Sequence, residues 1–423
     1  MMWKSLRNHP ITAGNWLWVV GYQQTGDWRL ETRDQIMVIL KKNILLLLSV
    51  LLWGISVAQD SCYLRVSLLT CTPGSELYSI FGHSAMRVID KTTGTDIVYN
   101  YGTFDFNDPS FYSKFIQGKL LYYLSQENYG DFQYSYMMDN RGIDEQVLNL
   151  TCKQQQEVQQ FLFNNLQGDN KYYKYDFLLD NCTTRLRDII EQKGNTDMKS
   201  GDIPEAKGMS FRNAIHYYLN KGHMPWSKLG IDLLLGRKID RKMTNREAMF
   251  LPEFLEKGID LTGAGKDSLV RTKLFPITRT ENGENGDSLF TPAIVFTLIA
   301  ILIISLGFIR QQGYSRILHI ADILLFLVIG LLGCLMAFMW FGTDHRDTGE
   351  NVNLLWAWPT HLIAAAMLIF RKKIIPNYFL AYSIVTLLIL VTWPFISQQL
   401  NPSIIPVLVV SGWRSWKIGR GPA

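Results

Sequence analysis

A cysteine at the start of a predicted helix is the residue of this chain best suited to act as a nucleophile. The segment 181–184 reads Asn-Cys-Thr-Thr, and apolar residues follow it at helical spacing up to Gly194, which suits a helix end. In a first helical turn, unpaired backbone N–H groups and the positive end of the helix dipole favour the thiolate form of a cysteine. The sequence therefore predicts a reactive thiolate at Cys182.

A histidine that could activate this cysteine lies in Phe-Gly-His-Ser at 81–84, about one hundred residues upstream. If the fold brings His83 beside Cys182, the pair has the chemistry of a thiol nucleophile with its general base. A second interpretation stays open from these two residues alone. A buried structural cysteine and a core histidine would be compatible with the same sequence.

The segments around His83 predict an α+β domain, in which helices pack on a small antiparallel sheet. Alternating β-forming residues and the turns between them predict five strands: Cys62–Thr70, His83–Ile89, Asp96–Tyr101, Leu120–Gln126 and Glu145–Leu150. Helices are expected at Glu76–Phe81, from Thr151 to Leu166, at Phe211–Leu219, and after the capping pair Thr244 and Glu247. The predicted strands place His83 on the sheet.

The strand next to His83 carries the candidate for a third active-site group. Asn100 is predicted to orient the His83 ring, with Tyr101 as the alternative. The strand register decides between them, because a shift of one residue exchanges the two faces of a strand. Backbone N–H groups at the start of the Cys182 helix are the expected donors to an oxyanion.

The segment from Met37 to Ala58 has the pattern of a signal peptide. Two lysines precede a short apolar core, and small residues stand at positions 56 and 58. Residues 1–36 do not fit this pattern and look like a non-native extension. We therefore expect translation to begin at Met37 and the mature chain to begin near Gln59.

Residues 59–288 form the predicted exported domain, which contains four of the five cysteines of the chain. An exported domain can form disulfides. The sequence does not choose among the pairings of Cys62, Cys71, Cys152 and Cys182. If Cys182 is a free nucleophile, one of the other three is left without a partner.

Residues 289–416 are predicted to form an all-α membrane domain. Five apolar stretches are predicted to cross the bilayer: Phe290–Ile309, Ile317–Phe341, Leu354–Phe370, Ile374–Ile396 and Pro402–Gly412. The basic residues that flank them all fall on the side opposite the exported domain, as the positive-inside rule requires. They include Arg371, Lys372 and Lys373 in an internal loop and Arg414, Lys417 and Arg420 in the C-terminal tail. This pattern predicts a multi-pass protein of the inner (cytoplasmic) membrane whose catalytic domain faces the periplasm.

A polar loop, Gly342–Asn353, is predicted on the same side of the membrane as Cys182. Asp344 and His345 make this loop a candidate for substrate binding or support at an interfacial site. An ordinary solvated loop is the alternative interpretation.

Composition argues against several other classes of protein. The hydrophobic fraction of 48% and the mean hydropathy of +0.03 are high for a purely soluble protein. The net charge of +5 comes from clusters at the membrane flanks and not from one basic groove, so no nucleic-acid partner is predicted. The sequence contains no phosphate-binding loop, dinucleotide fingerprint or zinc-ligand spacing, so neither a cofactor nor a metal is predicted.

Six motifs of the exported and membrane parts occur together in one known family. They are Thr-Cys-Thr-Pro-Gly at 70–74, Glu-Leu-Tyr-Ser-Ile-Phe-Gly-His-Ser-Ala at 76–85, Tyr-Asn-Tyr-Gly-Thr-Phe-Asp-Phe at 99–106, Asn-Cys-Thr-Thr at 181–184, Thr-Asp-His at 343–345 and Asn-Leu-Leu-Trp at 353–356. In this combination the chain resembles the Lnb-type lipoprotein N-acyltransferases of Bacteroidota over nearly all of residues 59–412. The order of histidine first and cysteine later is also similar to circularly permuted papain-like enzymes, including lecithin:retinol acyltransferase-like proteins.

The resemblance implies transfer of an acyl chain from a phospholipid to the α-amine of a diacylglyceryl-cysteine at a lipoprotein N-terminus. In that reaction Cys182 would carry the chain as a thioester, and His83 would act as the base. Ser84 and Asn181, which belong to the same motifs, would support substrate or site. The implied partners are a phospholipid donor, a lipoprotein acceptor and the inner membrane.

Two other functions stay open on the sequence. Papain-like folds also cleave cell-wall peptides, so a membrane-anchored periplasmic cysteine peptidase or amidase is the competing enzyme. A non-catalytic membrane scaffold belongs to a different class, and it predicts that Cys182 is disulfide-bonded, buried far from His83, or both. The placement of Cys182 relative to His83 separates the catalytic interpretations from the scaffold.

Overall fold

The computed structural model describes residues 37–44, 62–105, 107–198, 202–263, 268–278, 289–309, 312–370 and 376–421. Residues 37–44 form a helical segment in a unit separate from the rest of the chain. The predicted extension at 1–36, the remainder of the predicted signal peptide and the predicted cleavage site near Gln59 lie outside the described residues. The helix and strand labels below apply to residues 62–421.

The N-terminal part is built on one antiparallel sheet of seven strands in the order β6-β4-β3-β2-β1-β5-β7. The strands are β1 (Leu64–Cys71), β2 (His83–Asp90), β3 (Thr95–Thr103), β4 (Leu121–Asn128), β5 (Ile143–Leu148), β6 (Tyr172–Lys174) and β7 (Val270–Ile277). The predicted α+β class is therefore confirmed, and the five predicted strands are all present with their ends within two residues of the expected positions.

Two strands of the sheet were not predicted, and both lie at its edges. Strand β6 has only three residues and pairs with β4 alone, so its sequence is too short to show alternation. Strand β7 carries charged residues and Pro276, a composition that suits an edge strand but weakens a prediction from sequence.

Eight helices accompany the sheet among the described residues. They are α1 (Phe111–Ile116), α2 (Tyr129–Met138), α3 (Cys152–Leu166), α4 (Cys182–Gly194), α5 (Phe211–Lys221), α6 (Pro225–Leu234), α7 (Asn245–Ala248) and α8 (Pro252–Leu261). Helices α3, α4 and α8 contact one face of the sheet, and α2 contacts strands β3 and β4. The predicted helix at Glu76–Phe81 is wrong, since that segment consists of turns and a bend.

Local capping explains where several of these helices begin and end. Thr151 and Gln154 form the predicted capping box of α3. Thr244 and Glu247 also form one, but the helix that it opens stops after four residues. Helix α4 continues through Gly194 and ends at Asn195, whose φ of 49° makes it the left-handed cap in place of the predicted glycine.

The main hydrophobic core lies between the sheet and its helices. Alternate residues of β1, such as Val66 and Leu68, enter this core, whereas Leu69 and Cys71 pack on the opposite face with Phe132 of α2. The apolar residues Met249, Phe250, Leu251, Phe254 and Leu255 are buried in the main core.

Within its described residues the C-terminal part has five further α-helices: α9 (Pro292–Phe308), α10 (Gln312–Phe341), α11 (His361–Ile369), α12 (Pro376–Val391) and α13 (Ile405–Arg420). Among the described residues one stretch, Ser315–Phe341 within α10, is both long and apolar enough to cross a membrane; α9 and α12 are apolar but shorter. The predicted third span is wrong in its extent. Its N-terminal part forms a short 3₁₀ helix, Val352–Leu355, and α11 has nine residues.

The last helix corrects the placement of one basic residue. The predicted fifth span ended at Gly412, with Arg414 in the following tail, but α13 continues to Arg420. Arg414 is buried there and makes two hydrogen bonds of 2.6 and 2.7 Å with the carboxylate of Asp322 in α10. A buried charge requires such a partner, and the pair fixes α13 against α10.

Asp232 of α6 joins the N-terminal part to the membrane helices. Its carboxylate accepts from Arg212 at 2.9 Å and from Asn401, which precedes α13, at 2.9 Å. Its backbone carbonyl accepts from Asn353, which precedes α11, at 2.9 Å. All four side chains are buried, so this polar junction holds the sheet domain in one orientation on the helices.

Candidate active site

Cys182 is the first residue of α4, and the preceding asparagine fixes its position. Asn181 Oδ1 accepts from the backbone N–H groups of Thr183 and Thr184, both at 2.8 Å. Its Nδ2 donates to the carbonyls of Phe177 and Phe250, at 2.8 and 2.9 Å. Asn181 is thus a buried capping residue that positions the cysteine, and it supports the site without facing the substrate.

His83 is the first residue of β2, and its ring lies close enough to the thiol of Cys182 for each group to shift the pKa of the other. Helix α4 packs across β2 and β3, which brings together two residues that lie about one hundred positions apart in the chain. Cys182 is a free cysteine, and both side chains are half-buried. The scaffold interpretation predicted a disulfide at Cys182 or a distant His83, and the structure contradicts both.

The surroundings of this pair stabilise a thiolate beside an imidazolium. Burial raises the pKa of the Cys182 thiol, but the charge and hydrogen bond of His83, the Ser84 N–H and the Thr183 hydroxyl together lower it to about 7. Burial lowers the pKa of His83, yet the charge and hydrogen bond of Cys182 and the hydrogen bond to Asn100 raise it above its ordinary value. The cysteine is therefore poised to ionise near neutral pH.

Asn100 on β3 contacts the far side of the His83 ring. Nε2 of His83 lies 3.1 Å from Asn100 Oδ1, and Asn100 Nδ2 donates to Glu127 Oε1 at 2.8 Å. Because Oδ1 can only accept, Nε2 carries a proton, and Nδ1 is left for the sulfur of Cys182. The chain of contacts from Cys182 through His83 and Asn100 to Glu127 sets the tautomer and orientation of the ring.

The alternative third residue, Tyr101, faces away from His83. Its ring is buried in the main core, and its hydroxyl donates to Asn165 of α3 at 2.5 Å. The register therefore selects Asn100 over Tyr101 as the residue beside His83.

Ser84 lies against the base of the nucleophile. Its backbone N–H helps to lower the pKa of the Cys182 thiol, and its hydroxyl accepts from Thr183 at 3.2 Å. Ser84 is fully buried, so it supports the position of the sulfur and has no exposed surface for substrate.

Asp344 and His345, the predicted candidates for substrate binding or support, lie where the loop before the third predicted span meets the sheet domain. Asp344 contacts Lys174 at 2.8 Å, and its N–H donates to the carbonyl of Gln117. His345 Nε2 lies 3.1 Å from the carbonyl of Phe115. The described contacts of these two residues are with α1, the turn after it and the edge strand β6. The loop therefore docks the membrane helices onto the sheet domain beside the site.

Three features of the site were not predicted. Glu127 lies one residue beyond the expected end of β4. It is two residues from Ser125, which pairs with Asn100, so the strand register could have placed Glu127 on the same face of the sheet as Asn100. Two of the expected oxyanion donors, the amides of Thr183 and Thr184, are already occupied by Asn181. Cys71 lies opposite His83 on β1, where burial raises the pKa of its thiol to about 12.

Family comparison agrees with this architecture. A family model described as the Lnb N-terminal periplasmic domain matches residues 56–209, and one described as the Lnb transmembrane domain matches residues 284–419. The chain belongs to the Lnb family. This Lnb protein is accordingly a membrane protein with a periplasmic domain, and Cys182, His83 and Asn100 all lie in the part matched by the periplasmic model. Curated proteins and solved structures give no significant match to it.

The contact between Asn100 and His83 predicts a loss of rate without a loss of fold in Asn100→Ala. A hydrogen bond to a charged group contributes about 1.5–3 kcal/mol, so the acylation rate of Cys182 should fall about tenfold to a hundredfold. The alkylation midpoint of the thiol should move to higher pH, because the imidazolium that stabilises the thiolate loses a hydrogen bond. Single-turnover acylation and the pH profile of alkylation measure the two effects.

Ser125→Ala provides the matched control for Asn100→Ala. Ser125 is the register partner of Asn100 on β4, and its hydroxyl contacts Thr103 at 2.7 Å instead of the histidine. Its loss should leave both measurements unchanged. If Asn100→Ala behaved like this control, Asn100 would have no part in positioning His83.

Proposed function

We propose that this Lnb protein is a lipoprotein N-acyltransferase. It would move an acyl chain from a phospholipid to the N-terminal amine of a diacylglyceryl-cysteine lipoprotein through a thioester at Cys182. The observation that carries the proposal is the interacting Cys182–His83 pair, with His83 held by Asn100, in a domain joined to Lnb membrane helices. The pair supplies the chemistry, and the membrane helices supply a surface where two lipid substrates meet.

In the first half-reaction the Cys182 thiolate attacks the carbonyl carbon of a phospholipid ester. The S–C bond forms, and the carbonyl π electrons move to the oxygen. When this adduct collapses, the C–O ester bond breaks, and the leaving alkoxide of the lysophospholipid takes the proton of the His83 imidazolium. Neutral His83 and an acyl-thioester at Cys182 remain.

In the second half-reaction the lipoprotein amine attacks the thioester carbonyl. The N–C bond forms while neutral His83 accepts a proton from the amine, and collapse of the adduct breaks the C–S bond. The products are an N-acylated lipoprotein and the original thiolate–imidazolium pair. A thioester suits this relay because it reacts readily with amines. Asn100 and Glu127 would hold the ring while its proton is transferred twice.

The surface beside the site supports a lipid substrate. Helix α1 exposes apolar side chains: Tyr112 is 75% exposed, Phe115 50% and Ile116 48%. The same helix contacts His345 through the Phe115 carbonyl, so these side chains lie next to the loop that leaves the membrane helices. Exposed apolar groups next to membrane helices favour contact with a bilayer surface.

The proposal includes an architecture and a location. The sheet domain would be a permuted papain-like domain. The C-terminal part would cross the inner membrane five times, with the third crossing made by α11 together with the segment that precedes it from Val352. The signal peptide at 37–58, the exported domain at 59–288 and the membrane domain at 289–416 are parts of the same proposal. The sequence prediction that the basic clusters beside these helices fall on the side opposite the sheet domain supports it.

A labelled acyl chain tests the function directly. The purified full chain is incubated with a phospholipid radiolabelled in its acyl chain, and the label on Cys182 is tested for release by hydroxylamine. A diacylglyceryl-cysteine lipopeptide is then added. We expect the label to move from Cys182 to the peptide amine, as mass spectrometry would show. Label that passes only to water, together with cleavage of cell-wall peptides, would favour the peptidase or amidase instead.

The membrane topology predicts opposite accessibility for two loops. In a Cys182→Ala background, His345→Cys should react with a membrane-impermeant maleimide added outside spheroplasts. Lys372→Cys should react only after the membrane is permeabilised, since the basic cluster around it is predicted to be cytoplasmic. Equal reaction of the two positions from outside would refute this topology.

A further inference from the structure

An acyl transfer through Cys182 needs hydrogen-bond donors for the oxyanion, and the first turn of α4 supplies few. Asn181 Oδ1 occupies the amides of Thr183 and Thr184, which leaves the N–H of Cys182 itself. One donor stabilises a tetrahedral oxyanion poorly, because these sites usually combine two or more. A second donor is therefore needed near the sulfur.

Tyr173 of β6 has a buried hydroxyl without a partner in the part of the chain that the structure describes. Tyr173 is 6% exposed, and it lies close enough to Cys182 for the charge of the thiolate to raise the pKa of the tyrosine. A buried hydroxyl without a hydrogen bond is costly and uncommon in native proteins. Such a group is expected where a ligand or reacting atom completes the bond.

Gly102 on β3 defines a small space between this hydroxyl and the nucleophile. A methyl group placed on Gly102 would lie 3.7 Å from Cys182 Cβ and 4.0 Å from the Tyr173 hydroxyl oxygen. Both distances are ordinary van der Waals contacts, so the space can hold a group about the size of one oxygen or methyl. Backbone geometry explains why this residue is a glycine. Its φ is +92°, at the point where the register between β3 and β4 shifts, and residues with a side chain rarely adopt that conformation.

Arg185 of α4 holds the Tyr173 ring and favours its role as a donor. The guanidinium carbon lies 3.6 Å from the ring centroid, and Asp180 fixes the guanidinium through hydrogen bonds of 2.6 and 2.9 Å. Burial raises the pKa of Tyr173 above its ordinary value, so the phenol keeps its proton at neutral pH. The hydroxyl can therefore donate a hydrogen bond throughout the neutral pH range in which Cys182 is a thiolate.

We propose that the Tyr173 hydroxyl and the Cys182 N–H together form the oxyanion site of this protein. This inference rests on the proposed acyl chemistry at Cys182, but it does not depend on which acyl donor or acceptor is used. When the thiolate attacks the acyl carbonyl, the S–C bond forms and the π electron pair becomes an oxyanion in the space beside Gly102. Tyr173 donates a hydrogen bond to that oxygen and keeps its proton, and the bond relaxes when the adduct collapses.

Tyr173→Phe tests the assignment, because it removes the hydroxyl and leaves the ring between Arg185 and the sheet. Acylation of Cys182 by p-nitrophenyl butyrate is followed as a burst of p-nitrophenol in the purified full chain. Loss of one oxyanion donor costs a factor of about 10² to 10³, and we expect the burst rate to fall by that amount. Alkylation of Cys182 by iodoacetamide forms no oxyanion, so its rate and pH profile should not change.

Tyr101→Phe is the matched control, since Tyr101 is a buried tyrosine of the same sheet whose hydroxyl donates to Asn165. It should acylate and alkylate like the wild type. An unchanged burst in Tyr173→Phe would overturn the oxyanion assignment, and so would an equal loss of acylation and alkylation, which indicates a structural role.

The outcomes separate this inference from the proposed function. If p-nitrophenyl butyrate acylates the wild type in a Tyr173-dependent way but no acyl chain reaches the lipopeptide, the proposed N-acyltransferase function is wrong and the oxyanion assignment stands. If transfer to the lipopeptide proceeds and Tyr173→Phe has the wild-type burst rate, the assignment is wrong and the function stands. Both would be overturned if Cys182 reacts with iodoacetamide but is acylated neither by p-nitrophenyl butyrate nor by the phospholipid.

Discussion

Cys182→Ala is expected to abolish both the acyl-enzyme and the transfer of the chain to a lipoprotein amine. The variant removes the atom to which the chain is attached, so no thioester can form and no hydroxylamine-sensitive label should appear. Loss of a nucleophile in a covalent mechanism lowers the rate by a factor on the order of 10⁴ to 10⁶. Cells in which this protein is the only candidate acyltransferase should contain lipoproteins with a free α-amine, as mass spectrometry of their N-termini would show.

Cys182→Ser should retain the fold and block transfer or slow it sharply. The pKa of the Cys182 thiol is about 7, whereas a serine hydroxyl ionises far above that range, and His83 is arranged to stabilise an anion that already exists. The hydroxyl would have to lose its proton during the attack. The serine variant should therefore be nearly as inactive as the alanine variant, although it differs from wild type by one atom.

Cys62→Ser is the control for both substitutions. Cys62 is also a free cysteine, and its thiol donates to Gln155 at 3.3 Å, a bond that a serine hydroxyl can keep. This variant should load and transfer the acyl chain normally. If cells with Cys182→Ala still made triacylated lipoproteins under these conditions, the thioester mechanism would be wrong.

Local sequence was sufficient to predict the parts of the site that depend on neighbouring residues. Two examples are the capping box of Thr151 and Gln154 and the helix start at Cys182. Each involves groups within three residues of one another, so its pattern can be recognised without knowledge of the fold. The position of His83 on a strand followed from alternation in the same way. These predictions are confirmed because local preference and tertiary packing agree there.

The parts that the sequence did not predict depend on contacts between distant segments. Glu127 joins the site only because β3 and β4 pair in one register, and a prediction that ended β4 at Gln126 could not reach it. Arg414 was placed in a tail because a charge disfavours a membrane helix, and its partner Asp322 belongs to another helix. The contacts of Asp344 with Lys174 and of His345 with Phe115 likewise join segments far apart in the chain, so the sequence could not predict them.

His83→Ala should leave the fold intact, prevent acylation and change the titration of Cys182. In the wild type, burial raises the pKa of the thiol, but His83, together with the Ser84 N–H and the Thr183 hydroxyl, lowers it to about 7. Without the imidazolium the largest of these lowering contributions is lost, so the thiol pKa rises. The rate of alkylation by iodoacetamide at pH 7 should fall and recover only at higher pH. His345→Ala, which removes a histidine in contact with Phe115, should keep the wild-type alkylation profile.

The same pair predicts that acyl transfer and alkylation differ in their pH dependence in the wild type. Alkylation needs only the thiolate, so its rate should rise through about pH 7 and then stay constant. Acylation also needs the His83 proton for the leaving alkoxide, and the pKa of His83 is raised by Cys182 and Asn100. Its rate should therefore rise with the thiolate and fall again as the imidazolium loses its proton, which gives a bell-shaped profile. The variant His83→Ala tests this. If its acylation rate still had a bell-shaped pH profile, or if its alkylation midpoint stayed near pH 7, another group would be activating Cys182.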